Sequence, residues 1–383
     1  MDFDFTEEQD MLRASVRKMM DKLATPEYIR RLDQEQAYPT ELYQAWVDMG
    51  LLRMPFPEAY GGLGGNVLDM VIIGEELSRS GFDFYSAYGG GVFCGLNIVR
   101  KGTEEQKNYW IPRLLSGEIK MSVSMSEPDA GSDVGAMRTH AHRDGDDWVI
   151  NGQKVWSTGA GAANNVINVY ARTDPKAHYR KGISLFLVDN KTPGVKLRKL
   201  DMLGRRCTGT YEVFFDEVRV PADCLIGGEN GGWDCILGGL QYERIASTAG
   251  YCGGAQSVLD MALNHAKERE QFGQPIGAFQ AIAHMLADMQ VDVDAARVLM
   301  LRAAWTLAQG RDALREISVA KLFGSEAYVR ATNAGMQIMG AYGYSMEFDM
   351  QRHFRDARST TIGAGTSQMQ RNVLAGLMGL KVK

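Results

Sequence analysis

The spacing of apolar residues changes twice along this chain, and few folds accommodate both changes. In residues 1–120 the apolar positions recur at the helical interval: Met11, Leu12, Val16, Met19 and Met20 follow a capping box that runs from Thr6 to Gln9. Residues 33–45 and 66–80 read as further helices, with Pro55, Pro57 and the glycine run after Tyr60 as loop between them. From 121 to 230 the period falls to two. There, Trp148-Val149-Ile150 and Gln153-Lys154-Val155-Trp156 flank Asn151-Gly152, which predicts a hairpin turning at Asn-Gly. Further strand-like runs at 167–171, 183–188 and 211–220 are separated by Pro and Gly, with no helix between them. Such strands predict a small β-barrel or sandwich. From 231 onward long helical segments return, at 233–268, 280–309, 313–340 and 366–379, and their short connections predict an antiparallel bundle. The expected fold is α+β in three domains: an N-terminal all-α domain (1–120), a middle β-barrel or sandwich domain (121–230) and a C-terminal four-helix bundle (231–383).

Several function classes drop out on composition. A length of 383 residues is more than one ordinary core takes up, in keeping with several domains. No window approaches about 18 uninterrupted apolar residues, so no membrane span is expected. The acidic start, Met1 to Phe5, has no basic segment of the secretory kind, and a cytoplasmic protein is expected. Net charge is −5 with both signs interspersed, which argues against a nucleic-acid partner. The five cysteines form no C-x-x-C pair and point to a reducing compartment. His140 and His142 are close, but no other ligand group stands at metal spacing, so no metal is expected. No strand leads into G-x-G-x-x-G, which removes the usual device for a nicotinamide dinucleotide.

Five segments carry groups suited to a ligand. Met125-Ser126-Glu127-Pro128-Asp129-Ala130-Gly131-Ser132-Asp133 places small and hydroxylated residues around a bend, where hydroxyls and N–H groups are free to meet a polar ring or a phosphate. Lys154-Val155-Trp156-Ser157-Thr158-Gly159 puts two hydroxyls after an aromatic slab, as a flat heteroaromatic ligand requires. Arg269-Glu270-Gln271-Phe272-Gly273-Gln274-Pro275-Ile276-Gly277-Ala278-Phe279-Gln280 forms a defined turn between two helices, with an arginine suited to a pyrophosphate. Gln337-Ile338-Met339-Gly340-Ala341-Tyr342-Gly343-Tyr344 is the fourth, and Gly363-Ala364-Gly365-Thr366-Ser367-Gln368 precedes the last helix, whose N-terminus suits an anion.

In this order and spacing the five segments, E-P-x-A-G-S-D, K-x-W-S/T-T, Q-F-G-x-P-I-x-x-F-Q, Q-I-M-G-x-Y-G-Y and G-T-S-Q, resemble the acyl-CoA dehydrogenases over essentially the whole chain. The resemblance implies an FAD between the β domain and the C-terminal bundle. Val123, Ser124, Met125, Ser126, Gly131, Ser132, Trp156, Ser157 and Thr158 match the isoalloxazine and ribityl contacts. Arg269, Gln271, Phe272, Phe279 and Gln280 match the segment that reaches the FAD of a neighbouring subunit. Gln337, Ile338, Met339, Gly340 and Ala341 match the adenine side, and Thr366, Ser367 and Gln368 the pyrophosphate side. Ser132, Arg244, Ala364 and Gly365 match positions that meet the acyl-CoA. A shared site implies a homo-oligomer, at least a dimer and commonly a tetramer. The implied partners are an acyl-CoA substrate and electron-transferring flavoprotein.

One departure concerns catalysis. Most relatives carry a glutamate immediately before Gly-Thr-Ser-Gln, where this chain has Ala364 followed by Gly365. Isovaleryl-CoA-like and long-chain-like members instead place the base on a bundle helix directly before an arginine, which matches Glu243 in Gln241-Tyr242-Glu243-Arg244. The resemblance thus implies Glu243 as the base that takes the α proton while hydride leaves for flavin N5, giving the trans-2-enoyl-CoA. The backbone N–H at Ala364 remains suited to polarising the thioester carbonyl. An enoyl-CoA reductase resembling the crotonobetainyl-CoA reductases would use the same residues in reverse. The run Tyr88-Gly89-Gly90-Gly91-Val92-Phe93 matches where the family's helical domain faces the acyl tail, and its small residues lead one to expect room for a bulky or branched group.

Overall fold

A computed structural model of the chain describes residues 4–381, so the first three residues of the acidic start lie outside it. Six helices come first: α1 (Glu7–Leu23), α2 (Pro26–Glu35), α3 (Thr40–Asp48), α4 (Val67–Ser78), α5 (Phe82–Lys101) and α6 (Glu104–Leu115). The capping box at Thr6 and Gln9 is present, and Thr103 with Gln106 makes another ahead of α6. The helix expected over 33–45 is two pieces: α2 stops at Gln36, in the left-handed conformation with φ 52°, and Pro39 precedes α3. Proline has no N–H to continue the helix and holds the preceding residue extended. Helix α5 was hidden by its glycines, which helix propensity disfavours. Close packing is what they serve. A Cβ on Gly89 would stand 2.4 Å from the Tyr85 hydroxyl, and one on Gly95 2.6 Å from Leu114.

The middle of the chain folds into eight strands: β1 (Lys120–Ser124), β2 (His140–Asp144), β3 (Asp147–Thr158), β4 (Asn165–Arg172), β5 (Ile183–Asp189), β6 (Val195–Leu200), β7 (Thr210–Pro221) and β8 (Leu225–Ile226). Their order is β6-β7-β3-β2-β4-β5-β8, with β1 added parallel to β4. The hairpin expected at Asn151-Gly152 is absent. Strand β3 runs straight through that pair, which forms a bulge between the Ile150 and Gly152 pairings with β7, and the hairpin turn lies instead between β2 and β3. Gly152 takes φ 144°, a conformation that opens a bulge as readily as a turn. Strand β4 is buried on both sides. Ile167, Val169 and Ala171 enter a core internal to the sheet, whereas Val166 and Tyr170 belong to the core shared with the helices.

The C-terminal part contains α7 (Gly232–Glu268), a two-stranded projection β9 (Glu270–Gln271) and β10 (Gln274–Pro275), then α8 (Gln280–Ala308), α9 (Leu314–Met339), α10 (Ala341–Tyr344), α11 (Met350–Thr360) and α12 (Ser367–Leu377). The four expected long helices are α7, α8, α9 and α12. Helix α11 is an addition, unread because its buried face is polar: Gln351, Arg352, His353, Asp356 and Thr360. Charge ties the two helical regions together. Glu76 on α4, buried, accepts from Arg13 and Arg17 of α1, and Glu75 beside it pairs with Arg297 of α8 at 2.7 Å. No helix among the described residues is long and apolar enough to cross a membrane.

Candidate active site

Helices α5 and α7 and strands β1 and β4 enclose a narrow cleft with about 10 Å³ of free space, and Glu243 is the one carboxylate that lines it. Burial pushes the Glu243 carboxyl above the ordinary carboxylate value, while Arg244, Arg205 and Lys321 pull it back by charge. Arg244 donates from Nε to the Ala364 carbonyl at 3.2 Å, which fixes the segment before α12 against α7. Lys321, sealed in α9, holds the same segment by donating to the carbonyls of Gly365 (2.6 Å) and Thr360 (3.1 Å). Burial and Arg244 bring the Lys321 ammonium down to about 8. Ala364 takes φ 54° and Gly365 φ 85°, and neither backbone N–H has a partner among the described residues. The φ of Gly365 lies in the left-handed region that favours glycine, and a Cβ there would also lie 2.7 Å from Gln370 Nε2.

The sheet presents a flat platform. Trp156 is 57% exposed and takes φ 62°, a left-handed conformation that a tryptophan adopts only when its surroundings impose it. The bend that follows β1 is anchored beneath it. Val155 donates to the Ser126 carbonyl, Ser124 and Ser157 bond through their hydroxyls at 2.6 Å, and Lys154 reaches both the Met125 carbonyl and Glu127. Glu127 also accepts from the N–H groups of Arg138 and Thr139. Burial opposes its ionisation, yet Lys154 and those donors outweigh it and hold the carboxyl low. The Ser126 hydroxyl, half-buried beside the platform, has no partner among the described residues. An exposed indole with an unclaimed hydroxyl at its edge fits a flat, polar-edged ring such as a flavin.

The remaining expected residues fall into three places. Thr366, Ser367 and Gln368 open α12 and line a second cleft, of about 260 Å³, together with Arg358. Gly131 and Ser132 are exposed on the loop after β1 and do not line the Glu243 cleft. The third group is remote. Arg269, Gln271, Phe272, Phe279 and Gln280 sit past the far end of α7, which ends at Glu268. At a rise of about 1.5 Å per residue, that end lies roughly 38 Å from Glu243. Tyr342, just after Ala341, joins this group, since the Arg269 guanidinium lies 5.8 Å from its ring centre. Gln337, Gly340 and Ala341 are exposed there, while Ile338 and Met339 are packed in the core.

Models of the N-terminal, middle and C-terminal domains of acyl-CoA dehydrogenase match residues 6–118, 122–218 and 230–378. The chain belongs to the acyl-CoA dehydrogenase family. Members of this family are FAD-dependent oxidoreductases. The probable acyl-CoA dehydrogenase YngJ of Bacillus subtilis (strain 168) is 40% identical over 377 residues, covering 98% of this chain and 99% of that protein. The mitochondrial short-chain specific acyl-CoA dehydrogenase of Bos taurus is 38% identical over 378 residues, 97% and 90% of the two chains. The CarC subunit of the caffeyl-CoA reductase-Etf complex of Acetobacterium woodii is 34% identical over 376 residues, 98% and 99% of the two. Among solved structures, a glutaryl-coenzyme A dehydrogenase glutaryl-CoA complex superposes with a TM-score of 0.96 at 34% identity, covering 100% of this chain and 98% of the other.

Against that family background, two features stand apart from the sequence-based expectation. None of Gly89, Gly90 and Gly91, expected to leave room for a bulky acyl group, lines this cleft, and the first part of α5 to reach it is Phe93. Asn97, Asn168 and Tyr170 do line it and were not foreseen. Their signal was weak, because a polar residue inside an apolar run reads as a solvent-facing position.

Proposed function

We propose that this chain catalyses the FAD-dependent α,β-dehydrogenation of an acyl-CoA thioester, with Glu243 as the base for the α proton. The observation that carries the proposal is that Glu243 is the one carboxylate of the cleft, while its neighbour in sequence, Arg244, holds the Ala364 carbonyl. Position 364 offers no acid, so the proton acceptor comes from α7. Desolvation strengthens Glu243 as a base, and the charges of Arg244, Arg205 and Lys321 offset part of that rise. The unpartnered N–H groups of Ala364 and Gly365 polarise the thioester carbonyl and acidify the α carbon. Trp156, Ser126 and Thr158 hold the isoalloxazine, and the start of α12 with Arg358 meets the pyrophosphate. Bound FAD supplies the acceptor for the β hydrogen and its electron pair.

The 38 Å separation (roughly, from the helix rise) supports a site completed by a second copy. The Arg269 to Gln280 segment and the Gln337 to Ala341 turn serve the cofactor of a neighbouring subunit. Phe272, 95% exposed at the tip of β9–β10, and a stripe of Val291, Val298 and Trp305 along α8 are apolar surfaces suited to that contact. Electron-transferring flavoprotein is the expected electron partner. The reverse reaction, reduction of an enoyl-CoA with Glu243 returning the α proton, is favoured by the likeness to the caffeyl-CoA reductase subunit. Anaerobic mixing with saturated acyl-CoAs tests the direction: flavin bleaching supports the dehydrogenase. If no acyl-CoA bleaches it but an enoyl-CoA reoxidises the reduced protein, the reductase reading replaces it.

A further inference from the structure

Two amides that line the Glu243 cleft each keep one buried polar atom without a partner among the described residues. Asn97, on α5, donates from Nδ2 to the Tyr170 hydroxyl at 3.3 Å, and its Oδ1 has no hydrogen bond. Asn168, on β4, has no partner for Nδ2. Both side chains line the cleft, at 3% and 2% exposure. Buried amides are almost always hydrogen-bonded, and an unmet one is costly enough to require an explanation. Together they present one acceptor and one donor.

Resting on the assignment of this cleft to the acyl group, we propose that the substrate is a short acyl-CoA whose distal end bears a neutral group that both donates and accepts, a hydroxyl or a carboxamide. Three observations carry it. The free space in the cleft, about 10 Å³, is that of roughly one water, which limits the acyl end to a small group. A plain alkyl end would bury both amides unsatisfied. A carboxylate end would meet no cation, because Arg and Lys are absent from the cleft lining and Glu243 is its charged member. The Asn97 acceptor faces the hydroxyl or amide proton, the Asn168 donor faces its oxygen, and Tyr170 orients Asn97.

The test compares butyryl-CoA, 4-hydroxybutyryl-CoA, succinamyl-CoA and succinyl-CoA on the FAD-loaded protein. Dissociation constants are taken by calorimetry on Glu243→Gln, which cannot turn over, and kcat/KM on wild type. The hydroxy or amide thioester is expected to bind at least about 100-fold more tightly than butyryl-CoA, with succinyl-CoA weakest. Asn97→Leu and Asn168→Leu should each collapse that ratio and improve butyryl-CoA. Equal or tighter binding of butyryl-CoA to Glu243→Gln would overturn the proposal and assign the asparagines to an ordered water. Tight binding of succinyl-CoA would overturn it too. Flavin bleaching by any member keeps the dehydrogenase reading alive even then, whereas a clear preference in binding with no bleaching would leave the pocket assignment standing and sink the reaction.

Discussion

The ammonium of Lys154 lies 2.8 Å from the carboxylate of Glu127, with the lysine wholly shut away from solvent. This pair fixes the bend that carries Met125 and Ser126 beneath the Trp156 platform. Burial holds the Lys154 ammonium down, to about 8, and Glu127 opposes that loss. Lys154→Met should cost about 3–5 kcal/mol, because it leaves a buried carboxylate unpaired. Thermal unfolding and flavin content, both reduced in that variant, check this. Adding Glu127→Gln to it should recover part of the stability by removing the stranded charge.

Glu243→Gln should keep its flavin and lose about 10²–10⁴-fold in turnover. In wild type, kcat/KM for dehydrogenation should rise with pH through a midpoint above 4.5, because burial raises the carboxyl that must be ionised. A profile with its midpoint at or below that value would remove Glu243 from the role. Moving the carboxylate across the cleft, as Glu243→Gln with Ala364→Glu, should restore at least about tenfold over the single variant, within the range of a positioned base.

Lys321 gives a second pH dependence, of stability. Its folded value, about 8, lies below the ordinary 10.5, so between these the unfolded chain binds more protons. The penalty for burying the ammonium is present in full below about 8 and is relieved as pH rises from there toward 10.5. The melting temperature of wild type relative to Lys321→Met should therefore increase from pH 7 to about pH 10. A constant difference would mean that the buried lysine keeps its proton throughout, as it does in the unfolded chain.

Phe272 is 95% exposed, so Phe272→Ser should leave the fold of each chain unchanged. Its effect is expected on assembly: sedimentation should give a lower mass, and flavin retention should fall with it. Wild-type mass and flavin retention in this variant would place the subunit contact elsewhere.

Long helices were legible in the sequence because α7, α8, α9 and α12 bury apolar faces at a regular interval. Helix α11 escaped because it buries Arg352, His353 and Asp356; His353 meets Tyr328 and Asp356 accepts from the Arg205 N–H, partners from distant segments. The Asn151-Gly152 pair misled for a related reason: its local geometry is shared by turns and bulges, and only pairing with β7 selects the bulge. The motif residues proposed to meet the cofactor stood out by spacing. Asn97 and Asn168 did not, since what singles them out is the lack of a partner, a property of the folded interior alone.

Helix α7, with its 37 residues, keeps Glu243 and the Arg269 hairpin apart in every copy of the chain. If the hairpin works on a neighbour, damage at either end is not confined to the chain that carries it. Two inactive proteins, one altered at Glu243 and one at Arg269, would regain activity when unfolded and refolded together. In such hybrids some sites would join an intact base from one parent to an intact hairpin from the other.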